Sequence, residues 1–233
     1  MRILVCNYEY PPLGGGGGVA TAWLAQELAK RHEVTILTSQ GLGLPAESVE
    51  EGVRVVRVPV FFRGQKATAT LLSMLAYIPM GIRAGKELLK AEHYDVINTH
   101  FALPSGPVGD ALACFADIPN VLTVHGGDLY DPSKFTSPHR HLLLRAWVRN
   151  LLQRADRFVG QSTNTLANVR DFYGIDLEGT RIPLGIRRPP EAFASRQDYG
   201  FSQDEVLLVS VGGKAGSPQS YRTTHCHDGH SAE

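Results

Sequence analysis

The 233-residue chain has no net charge, since 23 lysines and arginines balance 23 aspartates and glutamates. A balanced chain makes no global electrostatic claim on nucleic acid, and none is expected as a partner. Cysteine is scarce: Cys6, Cys114 and Cys226 are widely spaced and form no CxxC pair, as suits reduced thiols in a cytoplasmic protein. Cys6 and Cys114 sit in apolar runs and are expected in the core. No apolar run approaches the ~20 residues that span a bilayer, which excludes an integral membrane helix. The opening Met-Arg-Ile-Leu-Val lacks the apolar length and cleavage site of a secretory signal. HExxH, Gly-x-Ser-x-Gly and clustered cysteines are missing from the first 212 residues. Near the end, His225, Cys226, His227 and His230 have metal-binding side chains but stand in a polar stretch without an apparent scaffold, so no metal is expected.

Glycine, by contrast, is concentrated. Residues 14–18 are five consecutive glycines between an apolar, strand-like opening and a helical pattern starting near Val19. Glycine lets backbone approach a ligand without Cβ obstruction, and a helix start adds free N–H groups and partial positive charge. Phosphate is the natural guest, and a flexible surface turn is the plain alternative. A nucleotide P-loop would need Lys and Ser or Thr after Gly18, where Val19 and Ala20 stand. A dinucleotide fingerprint would place its glycines directly after the first strand and an acidic residue at the end of the second. Here residues 6–16 intervene, and the second strand ends at Thr38-Ser39.

Apolar runs at 2–6, 34–38, 53–58, 95–99, 121–124, 158–161 and 181–184 predict seven strands, with 53–58 nearer the sheet edge. Between them, helical spacing is predicted over 19–31, 67–90, 104–116, 142–154 and 163–173. In the first helix Ala20, Leu24 and Leu28, with Trp23 beside them, define the apolar face. In the second, Pro79 should kink or divide the helix; packing against a core is the stronger reading there, contact with a membrane or lipid acceptor the other. Alternation of this kind predicts a doubly wound, Rossmann-like parallel α/β sheet, whose ligands bind beyond the strands' carboxyl ends.

Three features fall at those ends: the glycine run, His100, and the turn His125-Gly126-Gly127-Asp128. A strand-end histidine is as often structural as functional. His125 carries the stronger case, because two glycines open the backbone and an aspartate can accept from sugar hydroxyls. Asp128 could orient His125, accept from substrate, or cap the next turn. Arg140, Arg145, Arg149, Arg154 and Arg157, against Asp156 alone, could attract an anionic membrane surface or form a solvated face.

In order along residues 1–211, several stretches resemble the glycosyltransferase family 4 enzymes of GT-B fold. They are Met-Arg-Ile-Leu-Val with Tyr10-Pro11-Pro12 and the glycines, Tyr94-Asp95-Val96-Ile97-Asn98-Thr99-His100, Val124-His125-Gly126-Gly127-Asp128, Ala155-Asp156-Arg157-Phe158-Val159, and Ile182-Pro183-Leu184-Gly185-Ile186. The resemblance implies sugar transfer, with retention, from a nucleotide-diphosphate-sugar to a sugar or lipid-linked acceptor, between two Rossmann-like domains and without a metal cofactor. It implies that Gly15, Gly16, Gly17 and Gly18 line the acceptor and donor-phosphate side, and that the catalytic-site His125 lies beside the transferred sugar. His100, Gly126 and Asp128 would shape the acceptor pocket. Peripheral contact with the inner face of a membrane is a further expectation. The alternatives are a non-catalytic phosphate- or sugar-binding module and a nicotinamide-dependent oxidoreductase, the latter disfavoured by the missing acidic residue.

The chain departs from the family pattern at Pro183-Leu184-Gly185-Ile186-Arg187, where Pro-Asn-Gly-Val-Asp is common, and again after Val211. No Val, Ile, Leu, Met, Phe or Trp follows Val211, so the remainder cannot build a core. The organisation expected is an N-terminal domain over 1–186, a linker over 187–204, the first strand of a donor domain over 205–212 and a disordered tail over 213–233. A truncated or frameshifted transferase, weakly active or inactive on its own, is the expectation.

Overall fold

Strand β1 (Arg2–Cys6) is apolar on both faces because it lies inside a sheet covered on both sides. In the computed structural model, which describes residues 1–61, 63, 69–176, 178–186, 195–202, 204 and 206, the chain divides into two compact units, Met1–Pro189 and Pro190–Glu233. The first unit holds β1, α1 (Gly16–Ala29), β2 (Glu33–Gln40), β3 (Glu47–Glu50), β4 (Val53–Pro59), α2 (Leu71–Ala91), β5 (Val96–His100), α3 (Ser105–Ala116), β6 (Asn120–Val124), α4 (Leu142–Arg154), β7 (Arg157–Gly160), α5 (Thr163–Tyr173) and β8 (Thr180–Arg181). In the second unit the described residues include one 3-10 turn, Arg196–Tyr199, capped by Ser195. The metal-like residues of the tail, residues 187–194 and 203 of the expected linker and all of the expected last strand except position 206 lie outside the described residues.

The eight strands follow the order β3-β4-β2-β1-β5-β6-β7-β8. All neighbours run parallel except β3 and β4. This is the doubly wound α/β sheet that alternation predicts, with one strand more. Strand β3 carries the sequence Glu-Ser-Val-Glu, whose polar alternation suits an exposed edge and gives little apolar signal. Buried Arg57 of β4 ties it down by donating to Ser48 Oγ and pairing with Glu50.

Two layers form because successive β1 side chains point to opposite faces. Ile3 and Val5 pack with Ala22 and Ala25 of α1 and with Val34, Ile36, Val53 and Val55. Leu4 and Cys6 pack on the other face with Tyr77 of α2 and Val108 and Leu112 of α3. A third cluster joins β6 and β7 to α4 and α5 through Leu122, Val124, Val148, Leu152, Phe158 and Tyr173.

Three expectations need correction, and a fourth, at Pro79, loses only its division. Helix α1 starts at Gly16, inside the glycine run, and buries Gly18, Thr21, Ala22 and Ala25 rather than Leu24, which is exposed. Small residues on that face let the helix lie close to the sheet, and the bulky leucine is turned outward. Helix α2 runs undivided through Pro79, and Tyr77, fully buried two residues earlier, anchors it by donating to Leu37 O at 2.8 Å. Cys114 is exposed, because α3 turns Val108 and Leu112 inward and position 114 outward. Strand β8 is reduced to two residues.

Candidate functional site at the sheet's switch point

The strand order reverses between β1 and β5, the central pair, so a crevice opens beyond their carboxyl ends. The segments leaving those two strands, and β6 beside them, carry the glycine run, His100 and His125. Loop backbone is pinned there by buried side chains. Tyr8 N–H donates to Ser105 Oγ at 2.9 Å, and Thr38 and Ser39 hydroxyls donate to Tyr8 O. Asn7 Nδ2 donates to Thr21 Oγ1 at 2.8 Å, tying the β1 end to α1.

The glycines do different jobs. Gly14 has φ +101°, and a Cβ there would overlap Glu9. Gly15 and Gly16 face open space, and no side chain caps the helix at Gly15. Gly17 meets the ring of Phe101, whose Cζ lies 2.3 Å from where a Cβ would be, and Gly18 lies against Glu9. The Glu9 carboxylate accepts the Gly15 N–H at 3.0 Å. An anion approaching this helix start therefore meets free backbone on one side and a resident carboxylate on the other.

Phe101 follows β5 with φ +72°, a strained backbone for an aromatic residue. Its ring stacks on His125, with centroids 4.3 Å apart and planes at 27°. It thereby bridges the glycine helix to the histidines. His100, 1% exposed, places Nδ1 3.1 Å from His125 Nε2 and Nε2 2.6 Å from Asn98 Oδ1. His125, 9% exposed, has an Nδ1 that is enclosed and, among the described residues, without a partner. Burial, reinforced by His125, pushes His100 down to about 3. Burial also lowers His125, against the opposing pull of Asp128 and Glu9. Both rings are neutral at physiological pH.

Asp128 is brought into the same cluster, but its oxygens are committed to backbone. Oδ1 accepts from His125 N–H at 2.9 Å and Oδ2 from Ala102 N–H at 2.7 Å. Desolvation raises its pKa, against the His125 ring and these amides. The side chain clamps the β5–α3 and β6–α4 connections together. Gly126, at φ +80°, makes the turn between His125 and Asp128 possible, and Gln161 Nε2 donates to His125 O at 2.6 Å.

Comparison with known proteins fits this geometry. The sequence model described as Glycosyltransferase Family 4 matches residues 14–188. The chain belongs to glycosyltransferase family 4. The family 4 chain is 30% identical over 215 residues to a glycogen synthase of Mycobacterium tuberculosis, covering 84% of this chain and 51% of that protein. It is 30% identical over 133 residues to an uncharacterized glycosyltransferase of Methanocaldococcus jannaschii, covering 55% of this chain and 33% of the relative. It thus spans about half or less of the curated relatives it matches. A solved sucrose-phosphate synthase from Thermosynechococcus elongatus shares the fold at TM-score 0.63 and 20% identity, over 78% of this chain and 47% of that one. A structure of part of the same synthase aligns at TM-score 0.58 and 18% identity, over 79% and 90% of the two chains. The Rossmann-like half of a GT-B fold is therefore the architecture of the first unit.

Neither of two surface pockets, one against α5 and one on α2, includes a residue of this cluster. Among the described residues no helix is long and apolar enough to cross a membrane, and no group of three metal-ligating side chains forms. Sequence reading missed Phe101, Asn98, Gln161 and Glu9. Glu9, an acid just ahead of a glycine run, left a legible signal; Phe101 left none, because its role follows from a positive φ.

Proposed function

We propose that this chain supplies the acceptor-side half of a retaining transferase that moves a sugar from a nucleotide-diphosphate-sugar to a hydroxyl acceptor, without a metal cofactor. One observation carries the reading: at the switch point, a glycine helix start, Phe101 and His125 are in direct contact, so an anion-accepting backbone adjoins a polar group suited to sugar hydroxyls. Gly15 and Gly16 leave room for ligand, and His125 sits beside the transferred sugar, with His100, Gly126 and Asp128 holding the pocket's shape. The described first unit is one Rossmann-like half of the fold.

Calorimetric titration of the 233-residue chain with UDP- and ADP-sugars and with neutral sugar acceptors tests this, alongside a transfer assay. Acceptor binding is expected, weakened about tenfold in His125→Ala, as for one lost hydrogen bond of about 1.4 kcal/mol. Absence of acceptor binding, or nicotinamide binding in its place, would overturn the transferase reading.

A specific surface favours peripheral contact with anionic membrane as part of the same reading. From Pro132 to Ala155 the chain has no acidic residue, while Arg140, Arg145 and Arg149 occur beside Lys134 and Arg154, which pair with Asp131 and Asp110. Phe135, Leu142, Leu143 and Trp147 are exposed in this stretch, with Leu143 at 86%. Apolar anchors interleaved with arginine suit a bilayer surface bearing negative headgroups. Co-sedimentation with phosphatidylglycerol vesicles, lost in Leu142→Asp/Leu143→Asp, supports it; equal recovery with phosphatidylcholine or no recovery refutes it.

A further inference from the structure

A neutral imidazole carries one N–H, and its other nitrogen can only accept. That rule, applied along the line of contacts through the site, fixes the protons. Asn98 Oδ1 is an acceptor 2.6 Å from His100 Nε2, so the His100 proton is on Nε2 and His100 Nδ1 is bare. The 3.1 Å contact from His100 Nδ1 to His125 Nε2 then holds a hydrogen only if His125 supplies it. His125 Nδ1 is consequently bare as well. Among the described residues nothing donates to it.

We infer that Asn98 and His100 are positioning residues that lock His125 in the Nε2–H tautomer, leaving its enclosed Nδ1 without a hydrogen. The ring is held in place independently of this lock. Phe101 stacks on its face, Asp128 takes its backbone N–H and Gln161 donates to its carbonyl. The tautomer assignment does not rest on the transferase reading.

The test is nitrogen NMR of the 233-residue chain labelled with 15N-histidine, the His125 ring being assigned by the signals lost in His125→Gln. Expected are a protonated Nε2 and an unprotonated Nδ1 on His125 in the wild type, a loss of this single-tautomer signature in Asn98→Leu, and its retention in Asn98→Asp, which keeps an acceptor at the same place. A proton on His125 Nδ1 in the wild type would overturn the proposal, and the wild-type spectrum decides this even where a variant fails to fold. An unchanged His125 signature in folded Asn98→Leu would also overturn it. Failure of sugar binding with the tautomer as assigned would count against the transferase reading and leave the lock standing.

Discussion

The glycine end of α1 and the histidine pair beyond β5 and β6 meet at Phe101, yet they are built by opposite means. The glycine end presents backbone, with Gly15 and Gly16 open and no side-chain cap. The histidine pair presents side chains whose partners are nearly all specified, with His100 sealed and His125 almost so. An open helix start accommodates ligands of varied shape, whereas a sealed pair holds its rings in one arrangement. The difference teaches that adaptability and specificity in this crevice are assigned to different neighbours.

The comparison breaks most severely at Asp128. Asp128→Ala strands the buried N–H groups of Ala102 and His125 and is expected to cost about 3 kcal/mol in urea denaturation. An unchanged midpoint would mean that the clamp does not hold the histidine turn. Next is Gly17→Val, whose side chain displaces the Phe101 ring and costs about 2 kcal/mol, with His125 losing its stacking partner.

Acid pH tests the sealed side alone. The folded value of His100, about 3, lies below its unfolded value, so the unfolded chain takes up the proton first as the pH falls. The contribution is complete above about pH 6.5 and is lost towards pH 3, at up to about 1.4 kcal/mol per pH unit. Denaturation between pH 7 and 5 should show this decline, and His100→Gln should make it shallower, His125 keeping its own share; a decline equally steep in the variant would contradict the neutral buried ring. The smallest effect is expected on the open side. Gly16→Ala meets no atom within 4 Å and should raise stability by about 0.5 kcal/mol in the same urea assay. A loss instead would show that the helix start is not open.

Much of this was readable from local pattern. The helices α4 and α5 fall where apolar spacing puts them, and the strands from β1 to β7, apart from β3, lie within a residue or two of their apolar runs. The polar edge strand β3 was hidden because half-exposed Glu-Ser-Val-Glu has no apolar alternation. Leu24 misled because α1 packs through small residues, and Cys114 because an apolar neighbourhood in sequence does not say which way a helix turns.

By itself, the sequence determined the alternating α/β order, the parallel sheet and the presence of glycine, His100 and His125 at strand ends, since hydrophobic periodicity is a local property. Only the tertiary structure decided that β1 and β5 are neighbours, that Phe101 joins Gly17 to His125, and that Asn98 and His100 set the His125 proton. Those contacts link residues up to 93 positions apart, as from Ile3 to Val96. No periodicity carries them, because they follow from strand order and from a single positive φ.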